Sequence, residues 1–203
     1  MWNMKNKDKY IILGDPGSGK SIYAHKLIQK NKGTTVIFNG ISEKNHYLND
    51  LPFLKSFIQM DTDRPVQIIK NGKYYITNYK NNKFTGMDIF MDVMFTENYG
   101  SIAYDPAAFI VCDDLMWQFS VRQNKKIDAA MLLWRLSHAD CGVVITGQKF
   151  SDILNVNDTL WVPQMLKDIK KFWNVVRMDK VIKLDASASY TASTNVEKSV
   201  LYK

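Results

Sequence analysis

Short apolar runs recur along this chain, separated by stretches in which apolar residues return every three or four positions. Tyr10-Ile11-Ile12-Leu13 ends at Gly14, and Thr35–Phe38, Ala107–Cys112 and Val143–Thr146 follow at intervals. Continuous runs of this length read as strands buried on both faces, the habit of parallel sheets. Between them, Tyr23, Ala24, Leu27 and Ile28 have helical spacing over Lys20 to about Gln29, and Gly33 is placed to end that helix. Ile89, Phe90, Val93 and Met94 predict a second helix over Gly86–Asn98, Lys125–Asp140 a third, and Met165–Trp173 a fourth with lysines on one side, before a strand at Val181–Leu184. Strands alternating with helices predict an α/β fold with a mostly parallel central sheet and right-handed crossovers. One stretch breaks the rhythm. Val66–Lys70 and Lys73–Tyr79 read as strands joined by Asn71-Gly72, a strong hairpin signal, so residues 66–79 are expected to form an antiparallel insertion or edge. Asp185–Asn195, rich in Ser, Ala and Thr, reads as loop, making 185–203 a tail. No internal repeat is present.

Composition narrows the class. A chain of 203 residues suits one well-buried domain spanning 1–203, and 46% hydrophobic with 23% charged residues argues against wholesale disorder. No run of about 18 apolar residues exists, and Met1–Lys9 carries lysines without the apolar stretch of a signal peptide, so no membrane span is expected. Cys112 and Cys141 lie in or beside apolar runs, where free thiols behave as small buried hydrophobes, which fits a reducing compartment. The net charge is +7, almost all of it from lysine, the arginines being Arg64, Arg122, Arg135 and Arg177. Such a surface attracts polyanions, nucleic acid first among them, through phosphate contact with little base readout. A lysine-rich soluble surface is the plainer alternative.

The chemistry begins at Gly14-Asp15-Pro16-Gly17-Ser18-Gly19-Lys20-Ser21, which fits the phosphate-binding loop at every position and lies between an expected strand and helix. Its glycines let backbone N–H groups converge on the phosphates of ATP, Lys20 supplies charge to the β and γ phosphates, and the Ser21 hydroxyl suits Mg²⁺. Phe109-Ile110-Val111-Cys112 then delivers Asp113 and Asp114 at a strand's C-terminal edge, where open parallel sheets bind ligands. This reads as a Walker B strand: Asp113 as the Mg²⁺ carboxylate, Asp114 as the group orienting or deprotonating water. Many hydrolysing enzymes carry Glu at the second place. Finally, Arg135-Leu136-Ser137-His138 at a helix end runs through Val143-Val144-Ile145-Thr146-Gly147 to Gln148, an amide able to bond the γ-phosphate or attacking water as a sensor.

A phosphate-binding loop, an acidic Walker B strand and a helix ending in His138-x9-Gln148 resemble the FtsK/HerA superfamily, and within it the small genome-packaging ATPases of double-stranded DNA viruses with internal-membrane-type icosahedral capsids. The resemblance covers Lys9 to Phe150. It implies a RecA/FtsK-like P-loop fold, Gln148 as sensor, ATP and Mg²⁺ as cofactors, and a homo-oligomeric ring that pumps double-stranded DNA into a capsid. It also implies capsid or portal-vertex partners, and a place in the host cytoplasm or the virion. Members usually carry Arg immediately before the His. Ser137 stands there in this chain, so Arg135, one helical turn from His138, is the candidate arginine finger for a neighbouring subunit's γ-phosphate, with Arg122 as substitute.

Other features leave alternatives open. Lys167, Lys170, Lys171, Arg177 and Lys180 with Trp173 could line a DNA channel, or form a solvated face over a buried Trp. Lys73, Tyr74, Tyr75, Tyr79 and Lys80 are a second candidate surface. His25 and His46 show no metal spacing with the cysteines. Rival functions are a small-molecule or nucleotide kinase, for which four scattered arginines supply an acceptor site poorly, and a P-loop ATPase of replication loading or phage assembly.

Overall fold

The computed structural model describes residues 8–39, 44–61, 68, 70–77, 102–113, 129–148, 167, 171–184 and 190–197. They form one eight-stranded sheet. In chain order the elements are β1 (Lys9–Gly14), α1 (Lys20–Ile28), β2 (Thr35–Asn39), β3 (Ile58–Asp61), β4 (Lys73–Thr77), β5 (Phe109–Asp113), α2 (Ala129–His138), β6 (Gly142–Gly147), β7 (Trp173–Leu184) and β8 (Tyr190–Glu197), with short 3-10 turns at Lys44–Tyr47, Pro52–Ser56 and Ile102–Tyr104. The strand order is β3-β4-β2-β5-β6-β1-β7-β8. Seven strands run parallel and β8 pairs antiparallel to β7. This is an α/β arrangement of the Rossmann or P-loop kind.

The continuous apolar runs are explained by cover on both faces. Successive residues of each inner strand point to opposite sides, so Ile11, Val36, Ile110 and Val143 pack with Leu133 and Leu136 of α2 on one face, while Ile12, Ile37, Val111 and Val144 pack with Ala24 and Ile28 of α1 and with Leu54 and Phe57 on the other. Gly142, opening β6, must be glycine because a Cβ there would stand 2.2 Å from the Phe109 ring.

Three expectations are corrected. Lys73–Thr77 is not half of an antiparallel hairpin: β4 lies inside the sheet with β2 on one edge and β3 on the other, both parallel, and a strand has only two edges to offer. The Asn71-Gly72 turn does form, with Asn71 at φ 63°, but it redirects the chain into the parallel sheet. Residues 66, 67, 69, 78 and 79 lie outside the described residues. Second, part of the expected tail is β8, paired with β7 from Arg177↔Glu197 to Leu184↔Tyr190. Third, the last parallel strand begins at Trp173, eight residues before the expected Val181, because β1 takes a partner on its second edge from Lys9↔Trp173 onward. The expected helix over 86–98 lies outside the described residues. Among the described residues, no helix is long and apolar enough to cross a membrane.

Candidate functional site

β1 and α1 are joined by the loop Asp15–Gly19 at the C-terminal edge of the parallel strands. Gly17 (φ 79°) and Gly19 (φ 86°) hold left-handed conformations that L side chains resist. Gly14 is required for a different reason: a Cβ there would meet the Met178 carbonyl oxygen at 2.2 Å, where β7 closes against the loop. The loop closes on itself through Ser18 N–H to the Asp15 carbonyl, 3.1 Å, and α1 begins with Tyr23 N–H on the Gly19 carbonyl, 2.9 Å. Among the described residues no side chain caps the N-terminus of α1, and no acidic residue sits in its first turn. Its leading N–H groups and the positive end of its dipole are therefore directed at the loop, an arrangement suited to an anion. Lys20 folds back to donate to the Asp15 carbonyl, 2.9 Å, and is buried at the mouth of that loop.

Asp113, ending β5, is fully buried and contacted from three elements. Ser21 on α1 donates to Oδ1 at 3.0 Å, Thr146 on β6 donates to the same oxygen at 2.7 Å, and Asn39 at the end of β2 donates to Oδ2 at 2.9 Å. His25, also fully buried, holds Nε2 3.4 Å from Oδ2, within ion-pair distance but without hydrogen-bonding geometry. Burial alone would push the carboxyl upward. The His25 imidazole, then the Thr146 and Ser21 hydroxyls, outweigh it and hold Asp113 below the ordinary carboxylate value.

The structure thus brings Lys20, Ser21 and Asp113 to one edge although 92 residues separate the last two. Gln148 leaves β6 at the same edge, immediately after the Leu13↔Gly147 pairing, and is exposed. Because β6 lies between β1 and β5, Gln148 emerges between the glycine loop and Asp113. Asp114 and Arg122 lie outside the described residues. Arg135 is exposed on the last turns of α2 and is not part of this cluster. That helix ends at the opposite edge, where Lys9 donates to the Ala139 carbonyl, 2.9 Å, and Val143 N–H to the Asp8 carbonyl, 3.2 Å. Ser137, the residue before His138, is buried; its hydroxyl donates to the Leu133 carbonyl and accepts from Trp173 Nε1, both at 2.7 Å. A long cationic side chain has no room at 137, whereas 135 faces outward.

Trp173 is therefore core rather than a surface for DNA, and Tyr74 and Tyr75, 2% and 0% exposed on a strand covered on both faces, are core as well. Lys73 directs its ammonium to the Asn31 carbonyl, and burial lowers its pKa. Lys167, Lys171 and Arg177 are exposed. Lys170, Tyr79 and Lys80 lie outside the described residues.

Sequence reasoning missed Asn39, Thr146 and His25. A signal existed for the first two: each closes or nearly closes an apolar run with a polar residue, as Asp113 does, and Asn39 is in register with Asp113. His25 follows Ser21 by four positions, which places both on one face of α1.

No family model and no curated protein matches the chain. Among solved structures, a protein of Pyrococcus horikoshii OT3 determined in a structural study aligns with a TM-score of 0.42 and 8% identity, over 97% of this chain and 89% of that one.

Proposed function

We propose that this chain is a P-loop ATPase of the FtsK/HerA kind that hydrolyses Mg²⁺–ATP to translocate double-stranded DNA, acting as a homo-oligomeric ring in viral genome packaging. The observation that carries the enzymatic part is the 3.0 Å hydrogen bond from Ser21, first residue after the loop lysine, to Asp113. A hydroxyl and a carboxylate in contact beside an uncapped helix N-terminus form the donor set for a hard cation held partly by phosphate oxygens.

The residues present fit the nucleotide. The Gly14–Gly19 loop would surround the phosphates with backbone N–H groups, Lys20 would exchange its loop carbonyl for phosphate oxygens, and Ser21 with Asp113 would hold Mg²⁺. When bound, the ion neutralises charge on the phosphates. Asn39 and Thr146 orient Asp113 through hydrogen bonds to its two oxygens. Gln148 is the sensor. Asp114 is the residue proposed to orient or activate water, and Arg135 is proposed to act on a neighbouring subunit's nucleotide, which its position at the opposite edge favours over action on its own. The DNA half of the proposal rests on the lysine-rich net charge of +7 and on exposed Lys167, Lys171 and Arg177.

The test is ATP hydrolysis by purified protein with Mg²⁺, measured across protein concentration with and without double-stranded DNA. Turnover rising with both is the expected result. DNA-independent turnover that needs a nucleoside or nucleotide acceptor would replace this reading with the kinase.

A further inference from the structure

His25 has no place in the function as described so far, yet it is the only histidine of the chain buried completely among the described residues. Its ring stands edge-on to Tyr47 (centroids 5.0 Å apart, 86° between planes) and to Tyr75 (6.1 Å, 74°). These contacts fix the plane of the imidazole but satisfy neither nitrogen. Among the described residues Nδ1 has no hydrogen-bond partner, and Nε2 faces Asp113 Oδ2 at 3.4 Å. A phenyl ring would fill the same space without burying two polar atoms, so packing alone does not account for a histidine here.

Its position on α1 does. Ser21 and His25 are four residues apart, on one face of the helix, and they address opposite oxygens of a single carboxylate: Ser21 reaches Oδ1 and His25 lies against Oδ2. Thr146 shares Oδ1 and Asn39 shares Oδ2. Rotation of the carboxylate about its Cβ–Cγ bond would exchange the two oxygens. The imidazole and the Asn39 amide, arriving from two different elements, oppose that rotation and keep Oδ1 turned toward Ser21 and the loop.

We infer that His25 is a positioning residue for Asp113, holding its Oδ2 edge so that Oδ1 and the Ser21 hydroxyl present a fixed pair of oxygens to a divalent cation. The inference rests on the reading of Ser21 and Asp113 as the Mg²⁺ site. Groups of this kind, one shell removed from an ion, change metal affinity by about 10–100-fold when lost.

The experiment measures equilibrium binding of a fluorescent, non-hydrolysable ATP analogue while Mg²⁺ is titrated, for the unaltered chain, His25→Phe and His25→Gln, with thermal melting as the folding control. His25→Phe is expected to raise the Mg²⁺ concentration for half-maximal binding by about tenfold and leave Mg²⁺-free binding unchanged, while His25→Gln, which can bring an N–H to the place of Nε2, recovers most of the loss. A folded His25→Phe with an unaltered Mg²⁺ midpoint overturns the inference, as does an equal loss of Mg²⁺-free binding. Should His25→Phe not fold, the ¹⁵N resonances of the His25 ring in the unaltered chain decide: they move when Mg²⁺ joins the analogue complex if His25 positions Asp113, and stay if it does not. Failure of the unaltered chain to bind the analogue with Mg²⁺ would overturn the ATPase reading itself, a result distinct from these.

Discussion

The two edges of the parallel sheet use polar groups in opposite ways. At the edge where the strands begin, polar atoms are consumed by the backbone: the Asn31 amide donates to the Thr34 carbonyl and the Thr35 hydroxyl, Asn71 N–H to the Thr34 hydroxyl, Phe109 N–H to the Thr34 carbonyl, and Asp140 N–H to the Ala103 carbonyl. At the edge where the strands end, side chains from α1, β2, β5 and β6 turn toward one another and converge on the Asp113 carboxylate. The first edge closes loops through these bonds. The second keeps its hydrogen-bonding capacity in side chains whose partners a bound anion and cation would exchange.

The largest expected effect tests whether the two edges serve different nucleotides. Lys20→Ala at the ending edge and Arg135→Ala toward the beginning edge are each expected to cut ATP turnover by about 10³-fold or more, with Arg135→Ala sparing ATP binding. Mixing the two inactive variants should restore part of the rate, since one subunit keeps its loop and the other its arginine. A mixture as inactive as its components, in a protein shown to assemble, would overturn the action of Arg135 on a neighbouring subunit, and full turnover by Arg135→Ala alone would remove it from the reaction. Next, Gly142→Ala forces a methyl into the Phe109 ring and is expected to cost about 1–3 kcal/mol of stability by chemical denaturation, while nucleotide affinity stays unchanged. A large change in affinity would mean that β6 passes strain from one edge to the other.

A smaller effect concerns acid. The Asp113 carboxyl is held below its ordinary value in the folded chain, so the unfolded chain binds the proton more readily. The stability it contributes is therefore full above the ordinary carboxylate value and drains away as pH falls through that value toward the folded one. Melting temperatures measured downward from pH 6 should begin to converge for the unaltered chain and Asp113→Asn as the solution falls below about pH 4. The smallest effect is a silence. Burial raises Cys112 well above its ordinary value and pushes Cys141 up to about 12, so neither thiol should react with an alkylating reagent at pH 8 until the chain unfolds.

The sequence disclosed what is local. β1, the loop, α1, β5 and β6 were legible because each is a contiguous run with its own period or motif, and so were Lys20, Ser21 and Asp113. Pairing was not legible, because it is decided far along the chain. Asn71-Gly72 makes a turn wherever it occurs, but whether Lys73–Thr77 then meets residues 66–70 or slips between β2 and β3 depends on which edges β2 leaves open. β8 escaped notice because Thr191-Ala192-Ser193-Thr194 carries no apolar run, and its place comes from backbone pairing with β7. His25 escaped because a histidine between Ala24 and Lys26 reads as part of a helix's wet side; only the packing of Tyr47 and Tyr75 over it makes it interior.

β6 has one more consequence. Its six residues span about 20 Å at the usual rise per strand residue, from Gly142 beside the end of α2 to Thr146 and Gly147 beside the loop. It is held on both sides by parallel neighbours. A displacement of Thr146 or Gln148 passed along it would arrive at the joint at Asp140-Cys141, and through it at the helix bearing Arg135. On the ATPase reading, one strand runs from a subunit's own nucleotide to the base of the helix whose arginine faces the next.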